Sequence, residues 1–231
     1  MSSDFKAHVM GGPKLTLPNP LPTLAECIRL FYSAGTARTL TFLIALAAAA
    51  RAALWECSTV DACLLVVIPL VWPLQEWLIH VNILHFQPRN VLGRAFDLKV
   101  AKTHRAHHAD PWRFGVVFIP AHIVALTVPA LTLLCMALLP AAQPLTGVTV
   151  YLALAWHYEW VHFLVHTRYV PKSARYRRLW RNHRLHHFKN EKLWFGVTML
   201  GGDALMRTQP PPEQVENSPT ARSLLGVAGN P

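Results

Sequence analysis

The chain has 231 residues, enough for one domain with terminal tails. Hydrophobic residues make up 52% and charged residues 15% of it, whereas soluble proteins have about 25% charged residues, so the composition indicates a membrane protein. The formal charge of +10 would also suit a nucleic-acid-binding protein, but cytoplasmic loops of membrane proteins carry the same basic excess. The positions of the charges must decide between these classes.

The chain begins with a segment, residues 1–22, that is rich in glycine and proline and has little apolar periodicity. We predict a mobile arm there. The arm does not resemble a signal peptide, because the first apolar run begins only near Thr39. Four apolar runs follow, at 39–54, 62–79, 114–139 and 145–165. Each run, alone or with its apolar flanks, approaches the length of about 20 residues that a helix needs to cross a bilayer.

Basic residues are concentrated in the N-terminal arm, after the second run and after the fourth run, and are almost missing from the other two connections. By the positive-inside rule these basic segments face the cytoplasm. The predicted fold is therefore an all-α, multi-pass membrane protein with four transmembrane helices and a cytoplasmic helical cap. The topology accounts for the charge, so we expect no nucleic-acid partner. A bacterial inner membrane or the endoplasmic reticulum would suit this arrangement.

Histidine occurs in an order of pair, triplet, pair, triplet that gathers ten of the 13 histidines. The pairs are His80 with His85 and His162 with His166, and the triplets are HRAHH at 104–108 and HRLHH at 183–187. Residues at i, i+3 and i+4 project from one helix face, so each triplet is predicted to aim three imidazoles at one point. His80 and His85 would diverge by about 140° on a regular helix. A π-type turn is therefore predicted between them.

Ten imidazole donors are too many for one ion of four to six ligands and suffice for two. A ligand set made only of histidines suits zinc, copper, nickel or iron, and the spacing does not choose among these metals. Glu76 and Glu159 are predicted to hold the far nitrogen of a ligating imidazole and so fix its tautomer; the alternative is that both are solvated at the mouth of the site. His8, His122 and His157 fall outside the pattern. His8 is expected to be solvated, and His122 and His157 are expected to pack between helices; the alternative for His157 is a functional role, because ionisable groups inside a membrane are functional candidates.

The boxes and their flanks resemble the fatty acid hydroxylase and sterol desaturase superfamily. The four boxes are HVNILH, HRAHH, HFLVH and HRLHH, in that order. Their flanks, EWLIH at 76–80, HHADP at 107–111, YEWVHFLVH at 158–166 and HHFKNEKLWFGVT at 186–198, are similar to the fatty acid 2-hydroxylase branch. The resemblance covers about 72–208. We therefore expect a membrane-embedded hydroxylase-like domain at 23–208, followed by a disordered tail at 209–231, which has a proline run.

The resemblance implies a membrane-bound di-iron oxygenase that hydroxylates a lipid C–H bond with O2 and two electrons, at the 2-position of a fatty acyl or sphingolipid acyl chain. The implied metal ligands are His80, His85, His104, His107, His108, His162, His166, His183, His186 and His187. Asp203 matches a family aspartate that supports a ligand. Zinc could occupy the same site in a purified sample. The sequence shows no fused cytochrome b5 domain, so we expect a separate electron donor, a cytochrome b5 or a ferredoxin-type reductase chain.

Two alternatives remain open at this point. A sterol or carotenoid hydroxylase or desaturase of the same superfamily would have the same boxes. A histidine-rich metal transporter would instead place polar ligands along a path near the middle of the membrane, and the clustering at one face favours the enzyme. The aromatic residues Trp156, Tyr158, Trp160 and Phe163 are expected in the core or at the membrane interface, with lining of a substrate channel as the alternative.

Overall fold

The computed structural model describes residues 21–55, 57–222 and Leu224, so the predicted arm up to residue 20 lies outside the described residues. The helices are α1 (Leu24–Phe31), α2 (Gly35–Ala52), α3 (Thr59–Ile79), α4 (Lys99–Ala109), α5 (Ala121–Leu138), α6 (Gln143–Val165), α7 (Ala174–Phe188) and α8 (Gly201–Met206). A π-helical turn, His80–Leu84, continues α3. Two strands, β1 (Arg89–Val91) and β2 (Arg94–Phe96), and short 3₁₀ turns at Phe114–Val116 and Pro212–Gln214 complete the structure.

Capping boxes begin the first and third helices. The Thr23 side chain accepts a hydrogen bond from the Glu26 amide, and the Glu26 carboxylate accepts one from the Thr23 amide. Ser58 and Asp61 make the same reciprocal pair at the start of α3. These bonds satisfy amides that lack a partner within the helix, so they fix where each helix starts.

The number of membrane spans differs from the prediction. Within residues 21–55, 57–222 and 224, two helical stretches, Thr59–Leu84 and Phe114–Leu138, are long and apolar enough to cross a membrane. The pair α1 and α2, bent by 84°, would be a third if both belong to one span. Helix α6 has 23 residues, but Gln143, Glu159 and its histidines make it less apolar than a typical span. Two or three spans are thus supported, and the count of four is not confirmed.

Helix α6 lies at the centre of the fold and packs against α2, α3, α5 and α7. Phe31, at the end of α1, is fully buried among aromatic side chains, with ring centroids 5.1 Å from Trp160 and 5.6 Å from Phe163. Trp156 also packs edge-on against Phe31. Burying rings of this size is a large part of the stabilisation of a core. The predicted core role of these aromatics is confirmed, and the bend between α1 and α2 wraps the chain around them.

The all-α prediction misses a small hairpin after the π turn. Strands β1 and β2 pair antiparallel, and Leu92 and Gly93 between them have φ of 51° and 76°. Positive φ at both central residues defines the tight turn that hairpins favour, and glycine adopts it without strain. The hairpin connects the end of α3 to α4, which carries the first triplet.

Helix α8 approaches α3 closely at a glycine. A Cβ atom on Gly202 would lie 2.3 Å from the carbonyl oxygen of Pro73 and 2.7 Å from the Trp77 Cβ, so only glycine fits there. This contact places α8, and with it Asp203, beside the part of α3 that leads into His80.

The predicted disordered tail is wrong for residues 209–222. Ala221 is 4% exposed and the Ser218 amide donates to the Lys189 carbonyl at 2.7 Å. The proline-rich composition suggested disorder, but these residues lie against the ends of α4 and α7. The last carbonyl groups of these helices need hydrogen-bond partners, which the tail supplies. Residue 223 and residues 225–231 lie outside the described residues.

Candidate metal centre

The ten boxed histidines form two adjacent groups, each of five imidazoles that could hold a metal ion. Group one contains His80, His85, His104, His108 and His186, and group two contains His107, His162, His166, His183 and His187. Within each group, one nitrogen per ring lies within 4.8 Å of all the others. Nine of these rings are buried and that of His85 is partly buried. The groups abut, because the rings of His108 and His187 stack with centroids 4.0 Å apart.

The two triplets do not each aim at one point, as predicted, but divide between the groups. On α4, His104 and His108 belong to group one and His107 to group two. On α7 the division is reversed, with His186 in group one and the other two in group two. The reason is helical geometry: residues i and i+4 lie about 40° apart around the axis, while residue i+3 lies on the other side of residue i. Each triplet therefore bridges the two groups.

The predicted π turn exists and brings the first pair together. The His85 amide donates to the His80 carbonyl at 3.1 Å, five residues back, and the two ring centroids are 5.0 Å apart. A regular helix would have pointed these side chains apart. Single π turns of this kind are frequent at functional sites.

In four rings, the nitrogen that points away from its group, Nδ1, faces a backbone carbonyl. The Nδ1 atoms of His80, His108 and His186 in group one lie 2.7 Å, 2.9 Å and 2.8 Å from the carbonyl oxygens of Phe195, Ala221 and Leu193. In group two, Nδ1 of His162 lies 2.8 Å from the Val117 carbonyl oxygen. A carbonyl only accepts, so each Nδ1 carries the proton and each Nε2 presents a lone pair.

The inward nitrogens fit a pair of metal ions. The buried Nε2 atoms of the group one rings and of His162 have no hydrogen-bond partner in the part of the chain that the structure describes. In group two, Nε2 of His107 lies 3.1 Å from that of His166, and Nε2 of His183 lies 3.0 Å from that of His187. Neighbouring donors on one ion lie about 3 Å apart when each is about 2.1 Å from the metal. Buried nitrogen atoms without partners are costly unless something binds them.

Burial keeps these rings neutral, as metal ligands must be. Desolvation lowers the pKa of His104 and His183 well below the usual range of histidine. Burial also lowers the pKa of His108 to about 3, although its bond to the Ala221 carbonyl opposes this shift. A charged imidazolium is poorly solvated in such a site, so the rings on α4 and α7 are neutral donors at neutral pH.

The prediction that Glu76 contacts a ligating imidazole is wrong. Glu76 supports group one by binding the backbone of the loop after α7. Its buried carboxylate accepts hydrogen bonds from the amides of Val197 and Thr198, from the Thr198 hydroxyl and from the Trp72 indole. These bonds anchor the loop whose Phe195 carbonyl faces His80. Glu76 does not contact the His80 ring because the loop after α7 lies between them.

Asp203 holds the same loop from the other side. Its carboxylate accepts hydrogen bonds from the amides of Phe195 at 2.9 Å and Gly196 at 2.7 Å, and from the Thr208 hydroxyl at 2.6 Å. The Asn182 side chain on α7 also donates to it and to the Gly196 carbonyl. The loop 195–198, with a carboxylate on each side, is thus rigidly placed beside group one.

Glu159 plays the corresponding part near group two. Its Oε1 accepts from the Ile119 amide at 3.0 Å, two residues beyond the Val117 carbonyl that faces His162. Among the described hydrogen bonds, none joins Glu76, Glu159 or Asp203 to an imidazole. The alternative that the two glutamates are solvated is also wrong, because Glu76 and Glu159 are 6% and 1% exposed.

An apolar cavity of about 360 Å³ leads to both groups. His80 and His104 of group one and His162 of group two lie on its wall. The remaining wall is mostly apolar and comes largely from α3, α5, α6 and the segment 116–120. Of the four aromatic residues for which lining of a substrate channel was the alternative, only Tyr158 lines the cavity. Trp72 and Tyr151 also line it. An apolar space with imidazoles on its wall suits a hydrocarbon chain.

The histidines set aside in the sequence lie away from the two groups. His122 is exposed on α5, and Nε2 of His157 lies 3.2 Å from the Tyr176 hydroxyl. Neither histidine belongs to the two groups. Sequence reasoning missed Thr198, Asn182 and the carbonyls of Val117, Leu193, Phe195 and Ala221. A carbonyl belongs to every residue, so no sequence signal marks these four.

The fold and the two histidine groups define a mostly helical membrane protein with a site that could bind metal. A model of the fatty acid hydroxylase family matches residues 65–208, more than half of the chain, so the chain belongs to that family.

Two relatives agree with this assignment. The chain is 27% identical over 143 residues to the dihydroceramide fatty acyl 2-hydroxylase FAH2 of Arabidopsis thaliana, a match that covers 61% of this chain and 58% of that protein. It also matches the solved structure of full-length scs7p, in which only the hydroxylase domain is visible, with a TM-score of 0.60 and 25% identity over 78% of this chain and 66% of that one. The chain thus spans less than two thirds of either relative.

Proposed function

We propose that this chain is a membrane-bound, non-haem di-iron oxygenase that hydroxylates an acyl chain of a fatty acid or sphingolipid at its 2-position. The observation that carries the proposal is the pair of five-imidazole groups at the end of an apolar cavity. The ten boxed histidines are the proposed ligands, five to each iron ion. When bound, the two ions would activate O2 and supply the oxidising power that an unactivated C–H bond demands.

The residues of the chain prepare the imidazoles for this task. The carbonyls of Phe195, Leu193, Ala221 and Val117 orient four rings, and the carboxylates of Glu76 and Asp203 fix the loop that carries one of these carbonyls. Ligands placed in advance need little rearrangement when a metal binds.

The cavity would position the substrate and exclude water. Its apolar wall, formed by residues such as Val124, Leu152 and Ala155, suits the methylene groups of an acyl chain. The reacting carbon of an acyl chain in the cavity would lie beside His80, His104 and His162, which are on the cavity wall. A dry site also protects a strong oxidant from side reactions.

We further propose that four helices cross the membrane and that the histidine groups lie at the cytoplasmic face, with the substrate reaching the cavity from the bilayer. Helix α6 would be the fourth span; its polar residues face the protein interior, where Glu159 and His162 are buried. The two electrons would come from a separate donor, a cytochrome b5 or a ferredoxin-type reductase chain. The basic residues after α3 and α6 would attract an acidic donor.

Lipid mass spectrometry of a host that expresses the chain tests the proposal. We expect acyl chains that have gained one oxygen atom, with fragmentation placing it at the 2-position. A double variant, His107→Ala with His186→Ala, removes one donor from each group and should produce none, while His122→Ala should match the unmodified chain. Loss of two hydrogens would indicate a desaturase, and oxygen in sterols or carotenoids a different substrate class. Identical lipids with the double variant and the unmodified chain would refute the enzyme.

A further inference from the structure

The segment 215–222, here named the C-terminal strap, begins after residue 208, the last one matched by the family model. It crosses the ends of both helices that carry a histidine triplet. Just after α7, the Ser218 amide donates to the Lys189 carbonyl at 2.7 Å, and the Thr220 hydroxyl donates to the Glu191 carboxylate at 2.6 Å. On α4, the contacts converge on one histidine.

The strap holds His108 at two places. The Ala221 carbonyl oxygen lies 2.9 Å from Nδ1 of the ring, so the ring donates its proton there. The Arg222 guanidinium donates to the backbone carbonyl of His108 at 2.8 Å and to that of Ala109. These are among the last carbonyls of α4, which have no partner within the helix. A cation at this helix end also interacts favourably with the helix dipole.

The contacts of the strap with α4 involve a ring of group one directly. His108 belongs to group one, and its Nε2, which faces that group, must be free of a proton to bind a metal. Without the Ala221 carbonyl the proton could move to Nε2, and without Arg222 the end of α4 would fray. His107, the neighbouring residue on α4, belongs to group two, and no described contact joins it to the strap.

We propose that the strap is a positioning element that fixes the tautomer and place of His108, and that it is required for metal retention at group one but not at group two. The proposal rests on the proposed function in one respect, namely that both groups bind metal. Arg222 is its most testable residue, because its side chain clamps the strap to α4.

The test measures metal release from the full-length chain in detergent. Metal-free protein is loaded with zinc, which imidazole ligands bind well, and zinc release to a chromogenic chelator is followed for unmodified protein, Arg222→Ala, Arg222→Lys and Glu213→Gln. Glu213 serves as the control, because it contacts only the exposed Arg181 at 3.8 Å among its described ion pairs. We expect two ions per chain in the unmodified protein and two release phases.

In Arg222→Ala, one phase should be about 10- to 100-fold faster, the usual cost of losing a group that orients a ligand, while the other phase is unchanged. Arg222→Lys should be intermediate, since it keeps the charge but not the forked donors. Glu213→Gln should match the unmodified protein. A further variant, Thr220→Val with Arg222→Ala, removes a side-chain contact of the strap on the α7 side as well as the contacts on the α4 side, and should enlarge the same effect.

Combining variants shows whether Arg222 acts through His108. Arg222→Ala should add nothing to the release rate of His108→Ala, and should add its full effect to His183→Ala, which alters group two. Two ions with unchanged release in both strap variants would overturn the strap proposal and leave the proposed function intact. Equal acceleration of both phases would also overturn it, because the effect would then be general. An unmodified chain that binds no ion would overturn the strap and the proposed metal centre together.

Discussion

The two histidine groups have equal numbers of imidazoles but differ in how the protein holds them. In group one, three rings donate to carbonyls of residues 193, 195 and 221, which lie far along the chain from most of the ligands. In group two, only His162 has such a carbonyl among the described contacts, and the other four rings approach each other in two pairs at 3.0–3.1 Å. Group one is held by loops and group two by packed helices.

This difference teaches where each group is vulnerable. The rings of group two lie on α4, on α7 and at the end of α6, and α6 and α7 pack together through buried apolar side chains. Group one also depends on the loop 195–198, whose amides donate hydrogen bonds to Glu76 and Asp203, and on the strap, from which Arg222 donates to α4. Sites on helices are held more accurately than sites on loops, so changes far from the imidazoles should affect group one more.

The largest expected effect comes from removing one donor from either group. His186→Ala in group one and His107→Ala in group two should each abolish product and leave about one metal ion per chain, because four imidazoles without the fifth no longer form the intact site. Metal analysis and lipid mass spectrometry of the same preparations check this. Unchanged turnover in either variant would end the claim that both groups serve the reaction.

A change in the cavity should affect turnover without affecting metal. Ala155→Leu would fill part of the cavity on α6, away from the imidazoles. Because a misfit of even one methylene costs about 10- to 200-fold in kcat/KM, long acyl chains should lose more than short ones. Competition between substrates of different length measures this, with two ions still bound. An equal loss for all chain lengths would contradict the placement of the chain in this cavity.

Removing the carboxylate that holds the loop 195–198 should damage group one selectively. Asp203→Ala leaves the amides of Phe195 and Gly196 without their acceptor, so the carbonyl facing His80 is no longer fixed. We expect a loss of about 10- to 100-fold in affinity for one ion and none for the other. Titration of metal-free protein separates the two sites. A similar loss at both would mean that Asp203 supports the whole fold.

The smallest effects should come from neutralising the two buried glutamates. Glu76→Gln places an NH2 donor where Oε2 now accepts from Trp72 and Thr198. We therefore expect group one to bind its metal ion about tenfold more weakly. Glu159→Gln can keep the bond to the Ile119 amide, so its effect at group two should be smaller. Metal titration of the two variants, compared directly, checks the order. The reverse order would contradict the view that loops make group one the weaker site.

Much of this protein was predictable from its residues. Composition indicated a membrane protein, the repeated histidine order indicated a cluster of imidazoles that could hold metal, and the spacing of His80 and His85 predicted the π turn that continues α3. These features could be predicted because histidine is rare enough, and its chemistry specific enough, for a repeated pattern to have meaning.

The tertiary structure alone decided how the ten rings are shared. Neither triplet lies within one group, because residues i+3 and i+4 point to different sides of their helix and rings from other segments lie on both sides. It also placed Glu76 and Asp203 on the backbone of a loop, and ordered residues 209–222 against the ends of α4 and α7. The physical reason is that each of these contacts ends on a backbone amide or carbonyl. Those groups are the same in every residue, so only the folded chain determines which of them meets a given side chain.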